Sequence, residues 1–235
     1  MKSKKENRSE TGVPGFDEVF EGGLVSDSLN LIIGNAGAGK TTFLLQFLYN
    51  GATKFGEKGL YISFEPEERD INRMAKKQGM DFEELEREGK CIIRKTNPNS
   101  SIKDLQNELG KLIIKEDIRR VCIDPINVFS LSLLKENNLR KQIYDLLSWL
   151  KSLDVCVLIA GESDEDFGGK YDISEEIKFT KYSVDGVIEL FSSGISGEGD
   201  RAIRISKMRM TKHFRGPLAF EITDKGIKII GSSKR

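Results

Sequence analysis

The sequence predicts an α/β fold in which a mainly parallel central sheet is flanked by helices and extended by antiparallel strands near the C-terminal end. As far as residue 160, short apolar runs typical of strands alternate with longer amphipathic segments typical of helices. Strands in this order are covered by helices on both faces, which favours parallel pairing. After residue 186, strand-like runs follow one another across short turns, which favours antiparallel pairing.

Each predicted element has its own pattern of apolar residues. Strands of the parallel part are predicted at residues 29–33, 60–64, 91–95, 121–124 and 155–160. One helix is predicted to begin at Lys40, and others to cover residues 66–78, 81–88, 101–116 and 138–153. The antiparallel strands are predicted at residues 187–191, 202–210, 218–222 and 227–230. Functional groups are expected where the parallel strands end, at the carboxyl edge of the sheet.

The length of 235 residues fits a single domain over residues 1–235, with residues 1–10 as a flexible polar tail. Lys plus Arg and Asp plus Glu both number 37, so no net charge draws the chain to nucleic acid or to an anionic membrane. The apolar runs are too short to span a bilayer, and the first ten residues lack the apolar segment of a signal peptide. These features predict a cytoplasmic protein without a membrane partner.

The three cysteines, Cys91, Cys122 and Cys156, each fall within a short strand-like run. None of them forms a C-x-x-C pair with another. Buried free thiols that act as small apolar side chains are therefore predicted, in preference to a zinc site or a disulfide framework.

The strongest functional signal is the stretch LNLIIGNAGAGKTTFLLQFLY, residues 29–49, which runs from a strand through a glycine-rich turn into a helix. In that context G-x-x-x-x-G-K-[ST] indicates a phosphate-binding loop, and the alternative is an ordinary glycine-rich turn. Glycines let the backbone direct successive N–H groups towards phosphates at the helix N-terminus. Lys40 is predicted to reach the terminal phosphates, and the Thr41 hydroxyl to hold Mg²⁺. The predicted nucleotide-binding residues are Gly34, Asn35, Ala36, Gly37, Ala38, Gly39, Lys40, Thr41 and Thr42.

Two carboxylates stand at the ends of predicted strands. Asp124 ends the run VCID, where it is predicted to hold Mg²⁺ through water, and the alternative is an ordinary strand-ending aspartate. Glu65 follows the run YISF, where it is predicted to orient and deprotonate an attacking water. The alternative for Glu65 is a helix-capping role, which Glu67 and Glu68 would fill equally well.

Lys207 and Arg209 are separated by one residue in a predicted strand. The two-residue period of a strand directs both side chains to the same face. They are therefore either a functional pair of cations or ordinary solvated charges.

Several blocks of the chain resemble the KaiC-like branch of the RecA superfamily of ATPases, in its single-domain archaeal or RadA-paralogue form. The blocks are GVPGFDEVFEGG, GNAGAGKTTFLLQFLYNG, YISFE, VCIDPINVF and FEITDKGIKI, and together they extend over nearly the full length. The resemblance implies a RecA-like P-loop NTPase core that binds ATP and Mg²⁺ at the cleft between adjacent subunits of a ring, usually a homohexamer.

The resemblance also implies that cations of one subunit act on the nucleotide of its neighbour. The matching unit here is KMRMTKH, so Lys207 and Arg209 would reach the γ-phosphate in trans. His213, in the same unit, would either join them at the interface or be an ordinary surface histidine. A regulatory or signalling ATPase with ATP and ADP as its ligands is therefore expected.

Two alternatives to that function stay open. Family members commonly carry two adjacent glutamates where this chain has Glu65 followed by Pro66, so a slow ATPase or a non-hydrolysing nucleotide-gated scaffold is the first. The second is a RadA-paralogue-type protein of recombination or repair that binds single-stranded DNA through loops at residues 128–138 and 161–183. Between residues 162 and 176 the chain carries seven acidic residues against one lysine, which disfavours nucleic acid as a partner.

Overall fold

A sheet of nine strands lies at the centre of the part of the chain that the structure describes. The structure is a computed structural model, and the described residues are 7–127, 139–163, 175–194 and 200–230. The strands in these ranges are β1 (Arg8–Ser9), β2 (Leu24–Val25), β3 (Leu29–Gly34), β4 (Gly59–Ser63), β5 (Cys91–Lys95), β6 (Arg120–Asp124), β7 (Cys156–Glu162), β8 (Gly186–Ser192), β9 (Arg201–Met208), β10 (Leu218–Thr223) and β11 (Gly226–Ile229). The α-helices with both ends in the same ranges are α1 (Lys40–Lys54), α2 (Glu68–Lys76), α3 (Phe82–Arg87), α4 (Ile102–Lys115), α5 (Leu139–Lys151) and α6 (Glu175–Ser183), and Asp17–Val19 form a 3-10 helix.

The order of strands across the sheet is β11–β10–β9–β8–β3–β7–β6–β4–β5. The strands from β8 to β5 in this order run parallel to one another. The strands β9, β10 and β11 extend the sheet in antiparallel pairing. This topology confirms the predicted fold class. Outside the central sheet, β1 and β2 pair in a small sheet of their own.

Helices cover both faces of the central sheet. Apolar side chains of α1, α2 and α3 pack on one face, and those of α4, α5 and α6 pack on the other. Along β3, Ile32 faces the α1 layer while Leu31 and Ile33 face the opposite layer, as the two-residue period of a strand requires. Each fully buried aliphatic side chain contributes about 1.5–3 kcal/mol, so these two layers hold the sheet in place.

No helix within the described ranges has the length and the apolar character needed to cross a membrane.

The N-terminal tail is shorter than the sequence predicts. Arg8 and Ser9, which belong to the tail predicted over residues 1–10, pair with Val25 and Leu24 in the small sheet. Arg8 Nη1 also donates a hydrogen bond to Thr211 Oγ1 at 2.6 Å. The prediction is wrong for these two residues because their partners are distant in sequence, and residues 1–6 lie outside the described residues.

Helix α6 is a second difference from prediction. Residues 161–183 were predicted as a loop, but Glu175–Ser183 form a helix. Ile177 on this helix is fully buried with the side chains of α4 and α5, and Thr180 is buried as well. A short helix of charged residues is stabilised by such packing and not by its own propensity, so local sequence does not predict it. Residues 128–138 and 164–174, which hold the rest of the predicted DNA-binding loops, lie outside the described residues.

Arg120 is a fully buried charge at the start of β6. Its Nε donates to Glu57 Oε2 at 2.5 Å, and its Nη1 donates to the Phe47 carbonyl oxygen at 2.8 Å. The guanidinium stacks over the Phe47 ring, 4.4 Å from the ring centroid. Gly51 leaves room for it, because a Cβ at that position would lie 2.5 Å from Arg120 Cδ. Charge-assisted bonds therefore fix the C-terminal half of α1 to the sheet.

We expect Arg120→Ala to lower the free energy of unfolding by about 3 kcal/mol, because the change leaves Glu57 without its partner and opens a cavity. The matched control is Arg119→Ala, since the Arg119 side chain is 58% exposed and pairs with Asp117 at the surface. That control should change the free energy by less than about 0.5 kcal/mol. Urea unfolding followed by circular dichroism measures both variants, and equal transition midpoints would contradict the anchoring role of Arg120.

All three cysteines are buried free thiols, so the prediction for them is confirmed. They lie on β5, β6 and β7 and face the layer of α1. Burial raises the pKa of the Cys91 and Cys156 thiols to about 12, and it raises that of Cys122 well above its ordinary value. Thiols of this kind are unreactive in the folded state.

The folded protein should therefore consume almost no DTNB at about pH 8. The reagent does not reach the core, and the buried thiols stay in their unreactive protonated form. After unfolding in guanidinium chloride, all three thiols should react. Absorbance of the released thionitrobenzoate gives the count, and fast modification of the native protein would show that a thiol is more accessible than the structure indicates.

Candidate functional site

The phosphate-binding loop follows β3 and ends where α1 begins at Lys40. Gly34, the last residue of β3, lies so close to β8 that a Cβ on it would be 2.3 Å from the Leu190 carbonyl oxygen. Gly39 has φ +104°, and a Cβ there would be 2.9 Å from Ile222 Cδ1. Both positions therefore require glycine, and together they define the sharp turn between strand and helix.

Lys40 lies inside this loop. Its Nζ donates to the Gly34 carbonyl oxygen at 2.8 Å and to the Asn35 carbonyl oxygen at 3.0 Å, and the residue is only 7% exposed. The Asn35 amide donates to the Ser192 carbonyl oxygen at 2.9 Å, which fastens the loop to the end of β8. A buried ammonium group beside the unpaired N–H groups of a helix N-terminus favours binding of an anion.

The other predicted loop residues line the same turn. Ala36 and Gly37 are exposed, whereas Ala38 is buried in the core. Thr42, in the first turn of α1, accepts a hydrogen bond at its Oγ1 from Gln78 Nε2 at 3.1 Å. The exposed part of the turn is therefore open to a ligand, while the remainder is anchored.

Thr41 and Asp124 meet at the carboxyl edge of the sheet. Thr41 Oγ1 donates to Asp124 Oδ2 at 2.7 Å. Asp124 is the last residue of β6 and is 5% exposed. The structure thus brings the two predicted metal ligands into contact, and their binding of Mg²⁺ stays a prediction.

Glu65 lies on an exposed turn, two residues beyond the end of β4. The last residue of β4, Ser63, is the register partner of Asp124, so the turn starts beside Asp124 at the carboxyl edge of the sheet. Lys95 Nζ donates to the Glu65 carbonyl oxygen and, at 3.0 Å, to the Glu67 carboxylate. The N-cap position of α2 is Glu67, so Glu65 does not fill the capping role that was its alternative.

Lys207 lies at the other edge of the sheet. It pairs in β9 with Val187 near the start of β8, whereas the phosphate-binding loop follows the end of β3. Its Nζ donates to the carbonyl oxygens of Lys181, Tyr182 and Val184 at 3.0, 3.0 and 2.6 Å. The ammonium group therefore caps the C-terminal end of α6, where unpaired carbonyls favour a cation. Burial lowers the pKa of Lys207 below its ordinary value.

Arg209 lies just beyond β9, which ends at Met208, so the strand is shorter than predicted and only one of the two cations belongs to it. Asp185 holds Arg209, with 3.4 Å between Asp185 Oδ1 and Arg209 Nη1, and the same oxygen is 2.9 Å from Lys151 Nζ. Burial tends to raise the pKa of Asp185, but hydrogen bonds from Lys151, the Leu29 N–H and Arg209 bring it below its ordinary value. Asp185 thus forms ion pairs with both Lys151 and Arg209 near the start of β3.

His213 lies in the segment between β9 and β10 and is partly exposed. Its Nδ1 is 3.1 Å from the Phe214 carbonyl oxygen. The neighbouring apolar side chains Met210 and Phe214 are 62% and 51% exposed. The described contacts of His213 are therefore local, and a role at a nucleotide stays a prediction.

Two residues that the sequence analysis did not single out reach the site. Tyr61 in β4 donates its hydroxyl to Asp124 Oδ2 at 2.5 Å. Arg201, the first residue of β9, donates from Nη2 to the Gly37 carbonyl oxygen in the loop at 3.3 Å. The block YISFE predicts that Tyr61 lies in a strand, but a hydroxyl gives no local signal of a partner on another strand.

The residues present fit the phosphates of a nucleotide accompanied by Mg²⁺. The glycine turn leaves space where other residues would clash, and Lys40 supplies a buried positive charge. The residues that the structure describes contain no cluster of three or more His, Cys, Asp and Glu side chains that could hold a metal ion. Thr41 and Asp124, whose oxygens are 2.7 Å apart, would hold Mg²⁺ together with phosphate and water oxygens.

Comparison with known proteins identifies the family. A family model described as "ATPase: KaiC" matches residues 9–234, which is nearly the whole chain. The chain belongs to the KaiC family of ATPases. The crystal structure of a KaiC-like protein from the hyperthermophilic archaeon Pyrococcus horikoshii OT3 superposes with a TM-score of 0.84 at 32% sequence identity. The superposition covers 96% of this chain and 99% of the archaeal one.

Curated KaiC relatives are longer than this chain. The circadian clock oscillator protein KaiC of Synechococcus elongatus is 31% identical over 231 residues, which are 93% of this chain and 43% of the relative. The circadian clock protein KaiC2 of Synechocystis sp. is 31% identical over 229 residues, which are 94% of this chain and 39% of the relative. The chain therefore spans less than half the length of these KaiC proteins. The predicted resemblance is confirmed: the chain matches the model of a family of nucleotide-binding ATPases of the RecA superfamily over nearly its whole length.

In this KaiC-family domain, Lys40→Ala should weaken ATP binding by about a hundredfold, because charge-assisted contacts to the phosphates are lost. Lys54→Ala is the matched control, since Lys54 is exposed at the other end of the same helix. Isothermal titration calorimetry with ATP compares the two variants. Equal affinities would show that the loop does not bind the phosphates.

Proposed function

We propose that this chain hydrolyses ATP with the help of Mg²⁺ in a ring of identical subunits, usually six, and that the cycle serves regulation or signalling. Each site would be formed by the phosphate-binding loop of one subunit and by Lys207 and Arg209 of the next. The family membership supports ATP binding, and the contacts described above support the division of roles between two subunits.

The main support for a shared site is the separation of the two groups of residues within one chain. The loop follows Gly34 at the end of β3, whereas Arg209 N–H donates to the Asp185 carbonyl and Asp185 N–H donates to the Leu29 carbonyl at the start of β3. The six residues of β3 span about 17 Å between these edges. The Arg209 side chain is too short to bridge that span, and the Lys207 ammonium is bound to carbonyl oxygens at the end of α6, so we infer that a role at the γ-phosphate needs a second subunit.

Each residue would then have a defined task. Lys40 would hold the terminal phosphates, and Thr41 and Asp124 would hold Mg²⁺, which when bound neutralises phosphate charge. Glu65 would orient the attacking water and accept its proton. Lys207 and Arg209 of the neighbour would stabilise the negative charge that develops on the transferred phosphoryl group.

Pro66 supports a second candidate, a nucleotide-gated scaffold without turnover. It stands where family members commonly carry a second glutamate. The next carboxylate, Glu67, is paired with Lys95 at 3.0 Å and is therefore engaged elsewhere. Glu65 would have to serve as the base alone, and the rate of hydrolysis decides between the two candidates.

Glu65→Gln should lower steady-state ATP hydrolysis by about a hundredfold or more while ATP binding persists, because an amide cannot accept the proton. Glu67→Gln on the same turn is the matched control and should keep most of the activity. Phosphate release, together with solution mass by light scattering with and without ATP and MgCl₂, measures turnover and assembly. A wild-type ring that binds ATP without turnover above background would replace the ATPase by the scaffold.

A mixing experiment tests action in trans. Lys40→Ala subunits retain Arg209, and Arg209→Ala subunits retain the loop, so each variant alone should be inactive. Random mixing in equal amounts should restore about a quarter of wild-type activity, because that share of head-to-tail interfaces combines an intact loop with an intact arginine. If both variants assemble into mixed rings and no activity returns, Arg209 does not act across the interface.

A further inference from the structure

The hydroxyl of Tyr61 is a buried polar group that has no part in the roles assigned above. Tyr61 is 1% exposed in the core layer of α1, and its hydroxyl donates to Asp124 Oδ2 at 2.5 Å. A buried hydroxyl is costly unless it is hydrogen-bonded, and phenylalanine would fill the same space without that cost. The function of the hydroxyl is therefore found in its bond to Asp124.

Strand register explains how the hydroxyl reaches the carboxylate. Tyr61 in β4 pairs with Cys122 in the parallel neighbour β6, and Asp124 lies two residues further along β6 on the same face. Diagonal neighbours of this kind are about 7–8 Å apart, a gap that an aromatic side chain spans. Ser63, the aligned partner of Asp124, donates its hydroxyl to the Pro66 carbonyl oxygen at 2.7 Å instead.

Two donors converge on one carboxylate oxygen. Asp124 Oδ2 accepts from Thr41 Oγ1 at 2.7 Å and from the Tyr61 hydroxyl at 2.5 Å. One donor belongs to helix α1 and the other to strand β4, so rotation of the carboxylate would break a bond to one of them. With Oδ2 held in this way, Oδ1 is the oxygen that would be left for Mg²⁺ or for its water.

The two hydrogen bonds to Asp124 differ in whether a bound metal ion would disturb them. The Tyr61 hydroxyl lies inside the core layer of α1, where Asp124 Oδ2 is the acceptor of its hydrogen bond. The Thr41 hydroxyl lies in the first turn of α1, and a bound metal ion would take one of its lone pairs and could redirect its proton. Tyr61 is therefore the donor whose bond to Asp124 persists whether or not a metal is bound.

We propose that Tyr61 is a positioning residue of the Mg²⁺ site and that its hydroxyl orients Asp124 for the metal that accompanies the nucleotide, a role that rests on the Mg²⁺-dependent function proposed above. Tyr61 acts through Asp124 and does not contact the nucleotide. Strand β4 thereby contributes to the site from inside the core as well as through the Glu65 turn.

Tyr61→Phe removes the hydroxyl and keeps the ring. Binding of N-methylanthraniloyl-ATP, followed by fluorescence, should be unchanged in EDTA. The MgCl₂ concentration that produces half of the increase in affinity should rise about tenfold, because a hydrogen bond to a charged acceptor is lost. Tyr49→Phe is the matched control, since the Tyr49 ring packs against Phe82 with 5.9 Å between centroids, and it should leave both measurements unchanged.

The same substitution in an Asp124→Asn background shows whether Tyr61 acts through Asp124. In that background Tyr61→Phe should produce no further shift in the MgCl₂ requirement, because the group that it orients is already altered. Thermal unfolding checks that the variants are folded, and Tyr61→Leu provides a second variant without the hydroxyl.

An unchanged or lower MgCl₂ requirement for Tyr61→Phe, or an equal shift in both backgrounds, would overturn the role of Tyr61 while the proposed function stands. If the wild type binds the nucleotide in EDTA and gains nothing from MgCl₂, then the Mg²⁺ dependence itself fails, and the role of Tyr61 fails with it. The two failures are therefore distinguishable in one set of titrations.

Discussion

The parallel pairing of β3 with β7 and β8 is the constraint on which the rest of the structure depends. All six residues of β3 are buried, and its register sets Gly34 beside Glu162 on one side and Leu190 on the other. Because the neighbouring strands run in the same direction, their carboxyl ends meet at one edge. The loop, Asp124 and the Glu65 turn are consequently neighbours there, although they are distant in sequence.

Buried polar contacts then hold α1 against the sheet at its first turn and at its middle. Asp124 bonds Thr41 in its first turn, and Arg120 bonds the Phe47 carbonyl further along. Both Asp124 and Arg120 belong to β6, so one strand secures the helix twice. In a dry core such bonds are strong and their loss is costly. This rigidity suits a phosphate site, since donors that are already in place need no reorganisation when charge develops.

At the opposite edge of the sheet, where β3 begins, two cations are held by contacts within the chain. Lys207 caps α6 through three carbonyl oxygens, and Asp185 holds Arg209 beside the start of β3. Cations held in this way lose less side-chain entropy when they meet a partner than mobile surface cations would. In the proposed ring, Arg209 would be presented to the neighbour already held by Asp185, whereas Lys207 would have to release a carbonyl to bond a phosphate, because an ammonium group has three donors.

Local patterns in the chain are sufficient to predict the order of strands and helices, the fold class and the phosphate-binding loop, because apolar periodicity and glycine spacing are properties of short segments. They also predict that Asp124 ends a strand. They do not predict the pairing of Arg8, helix α6, or the contact between Tyr61 and Asp124, which are 63 residues apart. The capping of α6 by Lys207 joins positions 23 or more residues apart, and local patterns do not predict it either. Such contacts depend on the register between strands. That register is set by burial of both faces of the sheet, which happens only when the whole chain is packed.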